Sequence, residues 1–231
     1  MPLAVKISVV IPALNEARRI EATLASVRAQ AGPSEVVVVD GGSTDGTPER
    51  AAAGGARVLS AAPGRARQMN AGAEATDGAV LLFLHADTLL PPDAFEAIRR
   101  TLTDPRAEAG AFRLAFDRWT PLLRFYSFCT RFALPRICFG DRGLFVRRAA
   151  FEAVGGFPPM PMFEDLELVQ RLHRRGGFRF LPQHVTTAAR RFHRYGPLRQ
   201  QLLNTALWLR YVSGADLGPL RARYRYDAET D

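Results

Sequence analysis

Two short runs carry residue types suited to chemistry at a phosphate-bearing ligand: His85-Ala86-Asp87 and Glu164-Asp165. The first follows a continuous apolar run, Val80 to Leu84, and precedes the breaker pair Pro91-Pro92. An apolar run of that length suits a strand buried on both faces, and ligands of open α/β sheets gather where such strands end. A carboxylate delivered there is placed to hold Mg²⁺ or Mn²⁺, which favour carboxylate oxygen and usually share a phosphate with it. An aspartate that merely caps a turn is the plain alternative. Asp165 falls in the first turn of a segment with helical spacing, where the helix dipole keeps a carboxylate ionised and ready to accept a proton. Its plain alternative is an acidic helix start. A third cluster, Asp40-Gly41-Gly42-Ser43-Thr44-Asp45, ends a β-branched run. Its glycines let a backbone approach a ligand, as at a nucleotide edge, although a loop that only reverses the chain has the same composition.

These residues need a scaffold, and the first hundred positions alternate in the way a parallel sheet requires. Lys6 to Ile11 reads as a strand, Asn15 as the N-cap of a helix bearing Ile20, Leu24 and Val27, and Glu35 to Val39 as the next strand. Thr47 and Pro48 open a helix that Gly54-Gly55 closes, Arg57 to Leu59 forms a short strand, and Gly64 to Asn70 opens another helix. Val80 to Leu84 and a helix over Asp93 to Leu102 follow. Beyond Ala109 the pattern changes. Ala111 to Phe116 and Gly143 to Arg147 read as strands, and Trp119 to Leu134 as an aromatic helix whose apolar side holds Leu122, Phe125, Phe128, Cys129 and Phe132. Ala149 to Val154 and Glu164 to Arg174 read as helices ended by glycine pairs. From Arg190 the chain is basic and helical, and from Arg221 it is a charged tail.

Composition limits the function classes. The chain has 231 residues, is 47% hydrophobic, and carries a net charge of +8 with a pI near 10.4. That length and apolar content predict a single α/β domain. The basic balance implies attraction to polyanions, whether nucleic acid, a nucleoside diphosphate or anionic lipid headgroups, and charge alone does not choose among them. Cys129 and Cys138 lack the spacing of a zinc site or a disulfide framework, so reduced thiols are expected. The first apolar run is too short for a membrane span and has no cleavage site after it, so the reading is of a cytoplasmic protein. No GxGxxG follows the first strand and there is no GxxxxGK[ST], which removes the usual support for dinucleotide binding and for P-loop hydrolysis.

Four separated segments together carry a resemblance. Ser8-Val9-Val10-Ile11-Pro12-Ala13-Leu14-Asn15-Glu16, Val37 to Thr47, His85-Ala86-Asp87 and Phe163-Glu164-Asp165 occur in the order seen in family 2 glycosyltransferases of the GT-A fold, which this sequence resembles through about Gly177. It is most similar to a short bacterial subgroup with His-Ala-Asp and Gly140-Asp141-Arg142-Gly143 patterns. The resemblance implies a Rossmann-like α/β sheet, with a donor half at 1–104, an acceptor half at 105–220 and a tail at 221–231. It places Pro12, Ala13, Asn15, Glu16, Asp40, Gly42, Ser43, Thr44 and Asp45 around a nucleoside. Asp87 becomes the residue for metal and diphosphate, and Asp165 the base with Glu164 beside it. His85 stands where the family's acidic-x-acidic motif normally begins with Asp, so metal binding rests mainly on Asp87. The Gln-x-x-Arg-Trp motif of processive members is missing, and Arg190-Arg191-Phe192-His193 lies near its expected place, which implies transfer of one sugar; His193 is a further candidate contact.

The chemistry agrees with the residue types. Displacing a nucleoside diphosphate from a sugar requires charge neutralised on the departing phosphates and a base beside the attacking hydroxyl. Asp87 with Mg²⁺ or Mn²⁺, helped by Arg65, Arg67 and Arg142, meets the first need, and Asp165 meets the second. Asn70, on the same helical segment as Arg65 and Arg67, joins the donor set. The expectation is therefore an inverting transferase acting from a nucleotide-sugar donor, with no nucleic acid partner. Basic amphipathic stretches at Trp119 to Leu134 and at Leu198, Leu202, Ala206 and Leu209 suggest an anionic membrane surface and a lipid or lipid-linked acceptor, although ordinary core helices share that pattern. The alternative from another class is a catalytically weak protein of the same fold that binds nucleotides or anionic surfaces. A nucleotidyltransferase ranks below both, since Pro12 to Glu16 is not a glycine-rich triphosphate loop.

Overall fold

A computed structural model describes residues 5–132, 134–138, 140–160 and 162–216. The predicted tail from Arg221 and the side chain of His193 lie outside the described residues. The strands are β1 (Ile7–Ala13), β2 (Ser34–Asp40), β3 (Arg57–Ser60), β4 (Val80–Phe83), β5 (Thr88–Leu89), β6 (Ala109–Phe116), β7 (Leu144–Arg147) and β8 (Phe178–Thr187). The α-helices are α1 (Ile20–Arg28), α2 (Thr47–Ala53), α3 (Arg65–Glu74), α4 (Ala94–Thr101), α5 (Pro121–Cys129), α6 (Arg148–Ala153), α7 (Glu164–Arg174), α8 (Arg190–Tyr195) and α9 (Pro197–Val212).

The eight strands form one sheet in the order β3-β2-β1-β4-β7-β6-β8-β5. The β3-β2, β2-β1, β1-β4 and β6-β8 pairs are parallel, and the other three are antiparallel, so the sheet is mostly parallel as expected. All of β1 and β4 is buried, which explains why their sequences read as unbroken apolar runs. Alternate residues serve opposite faces. Val9, Ile11, Val38 and Leu82 pack with Leu24 of α1 and Phe95 and Ile98 of α4. Val10, Val39, Leu81 and Phe83 pack on the other side with Met69 of α3, Phe151 of α6 and Leu168 of α7. α3 lies close on the sheet because Gly72 has no side chain: a Cβ there would stand 2.3 Å from Val10 Cγ1 and 3.0 Å from Val39 Cγ2.

The structure corrects several local expectations. Asn15 does not cap α1, which begins at Ile20 with Arg19 at its N-cap; Asn15 instead adopts a left-handed backbone with φ 53°. Gly46 at φ 82°, not Thr47, is the N-cap of α2. The helix expected over Trp119 to Leu134 is only Pro121–Cys129, opened by Thr120, whose hydroxyl accepts from Leu123 N at 3.2 Å. Its apolar side is not core. Leu123 is buried, whereas Phe125, Phe128 and Phe132 are each more than half exposed. β5 and β8 have no counterpart in the sequence reading. β8 contains Arg179, Pro182, Gln183 and His184, and lacks the periodicity that marks a strand.

Candidate active site

The loops after β1 and β2 are stitched to each other before any ligand is considered. Asp40 accepts from Gly42 N at 2.9 Å, Ser43 N at 3.0 Å and Ser43 Oγ at 2.5 Å, so its carboxylate folds its own loop. Ser43 Oγ accepts from Asn15 N at 2.8 Å, and Asn15 Oδ1 accepts from Thr44 N at 2.9 Å. Asp45 accepts from Ala17 N at 3.0 Å and from Thr47 Oγ1 at 2.5 Å. Burial alone would raise the pKa of Asp45, but the bonds from Thr47 and Ala17 outweigh it and hold the carboxyl below its ordinary value. Behind this junction the buried amide of Gln68 donates to Ala13 O at 2.9 Å and Val39 O at 2.8 Å, tying α3 to the ends of β1 and β2.

In front of the junction opens a cavity of about 1990 Å³. Its wall brings together Pro12, Ala13, Asn15, Glu16 and Asp45 from the first two loops, and Arg65 and Arg67 from the start of α3. It also takes in His85 and Asp87 from the loop after β4, Arg142, and Glu164 with Asp165 from the first turn of α7. Asp40, Gly42, Ser43 and Asn70 are not part of that wall. The first three shape the loop behind it. Asn70 clamps the backbone of Phe157, donating from Nδ2 to Phe157 O at 2.9 Å and accepting from Phe157 N at 3.0 Å, and so anchors the segment that leads into α7. Arg142 reaches the wall, but it is 2% exposed and its guanidinium donates to Phe112 O at 2.8 Å and Thr130 O at 3.0 Å. Its first duty is therefore to join β6 to the end of α5.

The end of the cavity at α7 is strongly acidic. Glu164 is nearly buried, and Arg65 Nε stands 3.7 Å from its Oε1. Burial and then the charge of Asp165 raise the Glu164 pKa, with Arg65 pulling the other way. Sequence reasoning missed Asp141 as a site residue. It lines the same wall, where burial and then Asp165 push its carboxyl up to about 6, against the pull of Arg142. Arg190 was missed as well. At the start of α8, its Nη2 donates to Glu16 Oε1 at 2.5 Å and to Asp87 Oδ2 at 3.3 Å. No local signal marks that role, since Arg190 lies 174 positions from Glu16 and 103 from Asp87.

Among the described residues no group of three or more His, Cys, Asp or Glu can hold a metal ion unaided. Asp87 and His85 nevertheless offer oxygen and nitrogen donors on one loop at the cavity wall. That set fits a cation that takes its remaining ligands from a diphosphate and water, the usual habit of Mg²⁺ and its close substitutes.

The far wall is apolar and basic. Phe125 and Tyr126 of α5 and Leu207 and Trp208 of α9 also line the cavity, and Trp208 Nε1 donates to Arg136 O at 2.9 Å. Outside the mouth, Leu198, Leu202, Leu209 and Val212 of α9 are exposed. From Leu168 to Ala215 the chain contains no acidic residue, and none occurs between Arg118 and Gly140.

Comparison with known proteins accords with this arrangement. The curated relatives include glucosyl-3-phosphoglycerate synthase of Mycobacterium tuberculosis, 37% identical over 100 residues that cover 38% of this chain and 31% of the relative. The enzyme of the same name from Mycolicibacterium smegmatis is 33% identical over a stretch covering 38% of this chain and 33% of its own length. The matched stretch thus spans about a third of these relatives. Among solved structures, S. aureus TarS 1-349 superposes with a TM-score of 0.66 at 18% identity, covering 79% of this chain and 60% of that one. The M. tuberculosis glucosyl-3-phosphoglycerate synthase, in complex with Mn²⁺, UDP and glucosyl-3-phosphoglycerate, gives 0.65 at 24% identity, covering 92% and 81%. The mannosyltransferase PcManGT from Pyrobaculum calidifontis, in complex with GDP-Man and Mn²⁺, gives 0.62 at 24% identity, covering 78% and 56%. At these identities the superpositions speak for a shared GT-A fold. Residues 8–155, from the second residue of β1 to two residues past α6, match the family model for glycosyl transferase family 2, and with most of the chain matched, the protein belongs to that family.

Proposed function

We propose that the protein moves one sugar from a nucleoside-diphosphate sugar to an acceptor hydroxyl, with inversion at the sugar carbon. The observation that carries this reading is a single cavity lined both by His85 and Asp87 from the loop after β4 and by Glu164 and Asp165 from the start of α7. The first two loops and Glu16 receive the nucleoside, and Arg65 and Arg67 neutralise the diphosphate. Asp165 takes the proton of the acceptor hydroxyl as its oxygen bonds to the sugar carbon, while the bond from that carbon to the diphosphate breaks and its electron pair leaves with the phosphate. Asp87 and His85 would hold a divalent cation, Mg²⁺ or Mn²⁺, whose contribution is positive charge beside the departing diphosphate. The Mn²⁺ and nucleotides bound in two of the similar structures support this choice.

Calorimetry with UDP and GDP, with and without Mn²⁺, tests the reading. Wild type is expected to bind one of them with Mn²⁺, and Asp87→Ala to lose the response to Mn²⁺. A variant that keeps that response would refute the role of Asp87. Nucleotide binding without turnover of any sugar nucleotide would favour the catalytically weak alternative.

The finer reading of the acceptor is that it is lipid-borne and that the protein works at the inner face of a membrane. Support comes from the exposed aromatic and aliphatic side chains beside the cavity mouth, set among arginines in segments without acidic residues. No helix among the described residues is long and apolar enough to cross a membrane, so attachment would be peripheral. Co-sedimentation with anionic vesicles at low salt is the test, and the absence of enrichment over neutral vesicles would remove this reading.

A further inference from the structure

We propose that Arg190 is an exchangeable latch: it competes with the divalent cation for Asp87 and then passes to the donor diphosphate, coupling donor binding to the helices of the acceptor wall. This deepens the donor reading of the cavity and rests on it. The starting point is the ion triad in which Arg190 Nη2 meets Glu16 Oε1 at 2.5 Å and Asp87 Oδ2 at 3.3 Å. The three side chains are 28%, 15% and 16% exposed, so solvent screens them only partly.

Asp87 is also the carboxylate best placed to ligate a cation shared with a diphosphate. A guanidinium and a divalent cation within a few ångströms of the same carboxylate repel each other, so each weakens the hold of the other. A diphosphate changes the balance. Its oxygens bring negative charge to the same place and suit the planar fork of an arginine, which binds phosphate bidentately. Arg190, already on the cavity wall, then gains a new partner as the cation takes Asp87.

The consequence reaches the acceptor side because of where Arg190 sits. It opens α8, which packs against α9, and α9 supplies Gln200, Asn204 and Trp208 to the cavity. Phe192, two residues further on, meets Phe116 edge-to-face at 5.8 Å and lies at a tilt to Tyr126 at 6.0 Å, linking the same turn to β6 and α5. A shift of Arg190 from carboxylates to phosphate thus pulls on both sides of the mouth. In the free protein the latch offsets one of the two negative charges of Glu16 and Asp87, which weakens capture of a cation without its nucleotide.

Two binding constants moving in opposite directions distinguish this latch from a merely structural ion pair. Mn²⁺ alone is titrated into wild type, Arg190→Ala and Arg190→Lys, followed by electron paramagnetic resonance, and UDP and GDP are titrated by calorimetry at saturating Mn²⁺. Arg190→Ala is expected to bind Mn²⁺ alone about tenfold more tightly and the nucleotide about tenfold more weakly. Arg190→Lys keeps the charge but not the fork, so it should bind Mn²⁺ within about threefold of wild type and still lose several-fold in nucleotide affinity. Both constants moving together in Arg190→Ala, or neither moving, would overturn the latch. If Arg190→Ala does not fold, Arg190→Lys decides alone, and nucleotide affinity equal to wild type overturns the proposal. Wild type that binds neither UDP nor GDP with Mn²⁺ overturns the donor reading itself, whereas wild type that binds, with unmoved variants, overturns only the latch.

Discussion

Asp165→Asn removes a charge and keeps the shape, and the site predicts a loss confined to the chemical step. Glu164 and Asp165 share the first turn of α7, about 100° apart around its axis, so only one can face a given hydroxyl. Glu164 is committed to the wall: it is 2% exposed and stands 3.7 Å from Arg65 Nε. At an effective dielectric near 20, that separation gives a gross attraction of about 4 kcal/mol, which burial and the charge of Asp165 together outweigh, so Glu164→Gln should cost no stability through the lost charge. Asp165 as general base is worth about 10²- to 10⁴-fold in rate, or about 3 to 5 kcal/mol of barrier. The assay is release of nucleoside diphosphate from a turned-over sugar nucleotide, with donor affinity measured calorimetrically on the same preparations. Asp165→Asn should lose at least about a hundredfold in kcat with donor affinity within about threefold. Glu164→Gln should lose less than about tenfold in kcat and unfold at no lower a temperature than wild type. A slower Glu164→Gln, or an Asp165→Asn within tenfold of wild type, would refute the assignment.

Three further outcomes follow from single residues. Asn70→Ala removes both bonds to the Phe157 backbone and should cost about 2 kcal/mol in urea unfolding, with kcat falling more than donor affinity because the loss loosens the approach to α7. Gly72→Ala places a methyl 2.3 Å from Val10 Cγ1 and should destabilise by about 1 to 3 kcal/mol, also read by urea. Glu35 gives a pH dependence. Burial would raise its carboxyl, but bonds from Ser8 and Asp77 prevail and hold it at about 2, below its ordinary 4.5. The lowered value means a stabilisation fully present above pH 4.5 and lost as pH falls towards 2, on the order of 3 kcal/mol. The stability gap between wild type and Glu35→Gln should therefore close over that window.

The parallel half of the sheet was legible because its signals are local. The apolar runs of β1, β2 and β4 stop at Pro12, Asp40 and His85, and the strand ends point to Asp40 and Asp87. Local signals could not reveal how the side chains are shared out. Asp40 looks the same in sequence whether it binds a nucleoside or folds its own loop, and only the bonds from Gly42 and Ser43 show the second use. Arg190 and Asp141 stand in motifs the sequence reading quoted, yet neither they nor Gln68 were placed in the site, because Glu16 and Asp87, Asp165, and Ala13 and Val39 lie far from them in sequence. β8 escaped because it is half-covered and polar, its place fixed by pairing along β6. The aromatic face of α5 left core and membrane surface both open, since hydrophobic periodicity records that one side is apolar and is silent about what covers it.

Phe163 shows how far along the chain the orientation of the base is decided. It holds φ 62°, a left-handed conformation unfavourable for an aromatic residue, immediately before Glu164 and Asp165. Its ring lies 4.9 Å from that of Tyr211 near the end of α9, and the Tyr211 hydroxyl donates to Glu167 at 3.0 Å, one turn into α7. Two contacts from one tyrosine thus brace the residue before the helix and the residue behind its first turn. Aim and fold are consequently separable properties here. Shortening the chain ahead of Tyr211 would leave the parallel core intact while letting Phe163 relax and the acidic pair swing, so damage at the carboxy-terminal end would register as lost turnover well before it registered as unfolding.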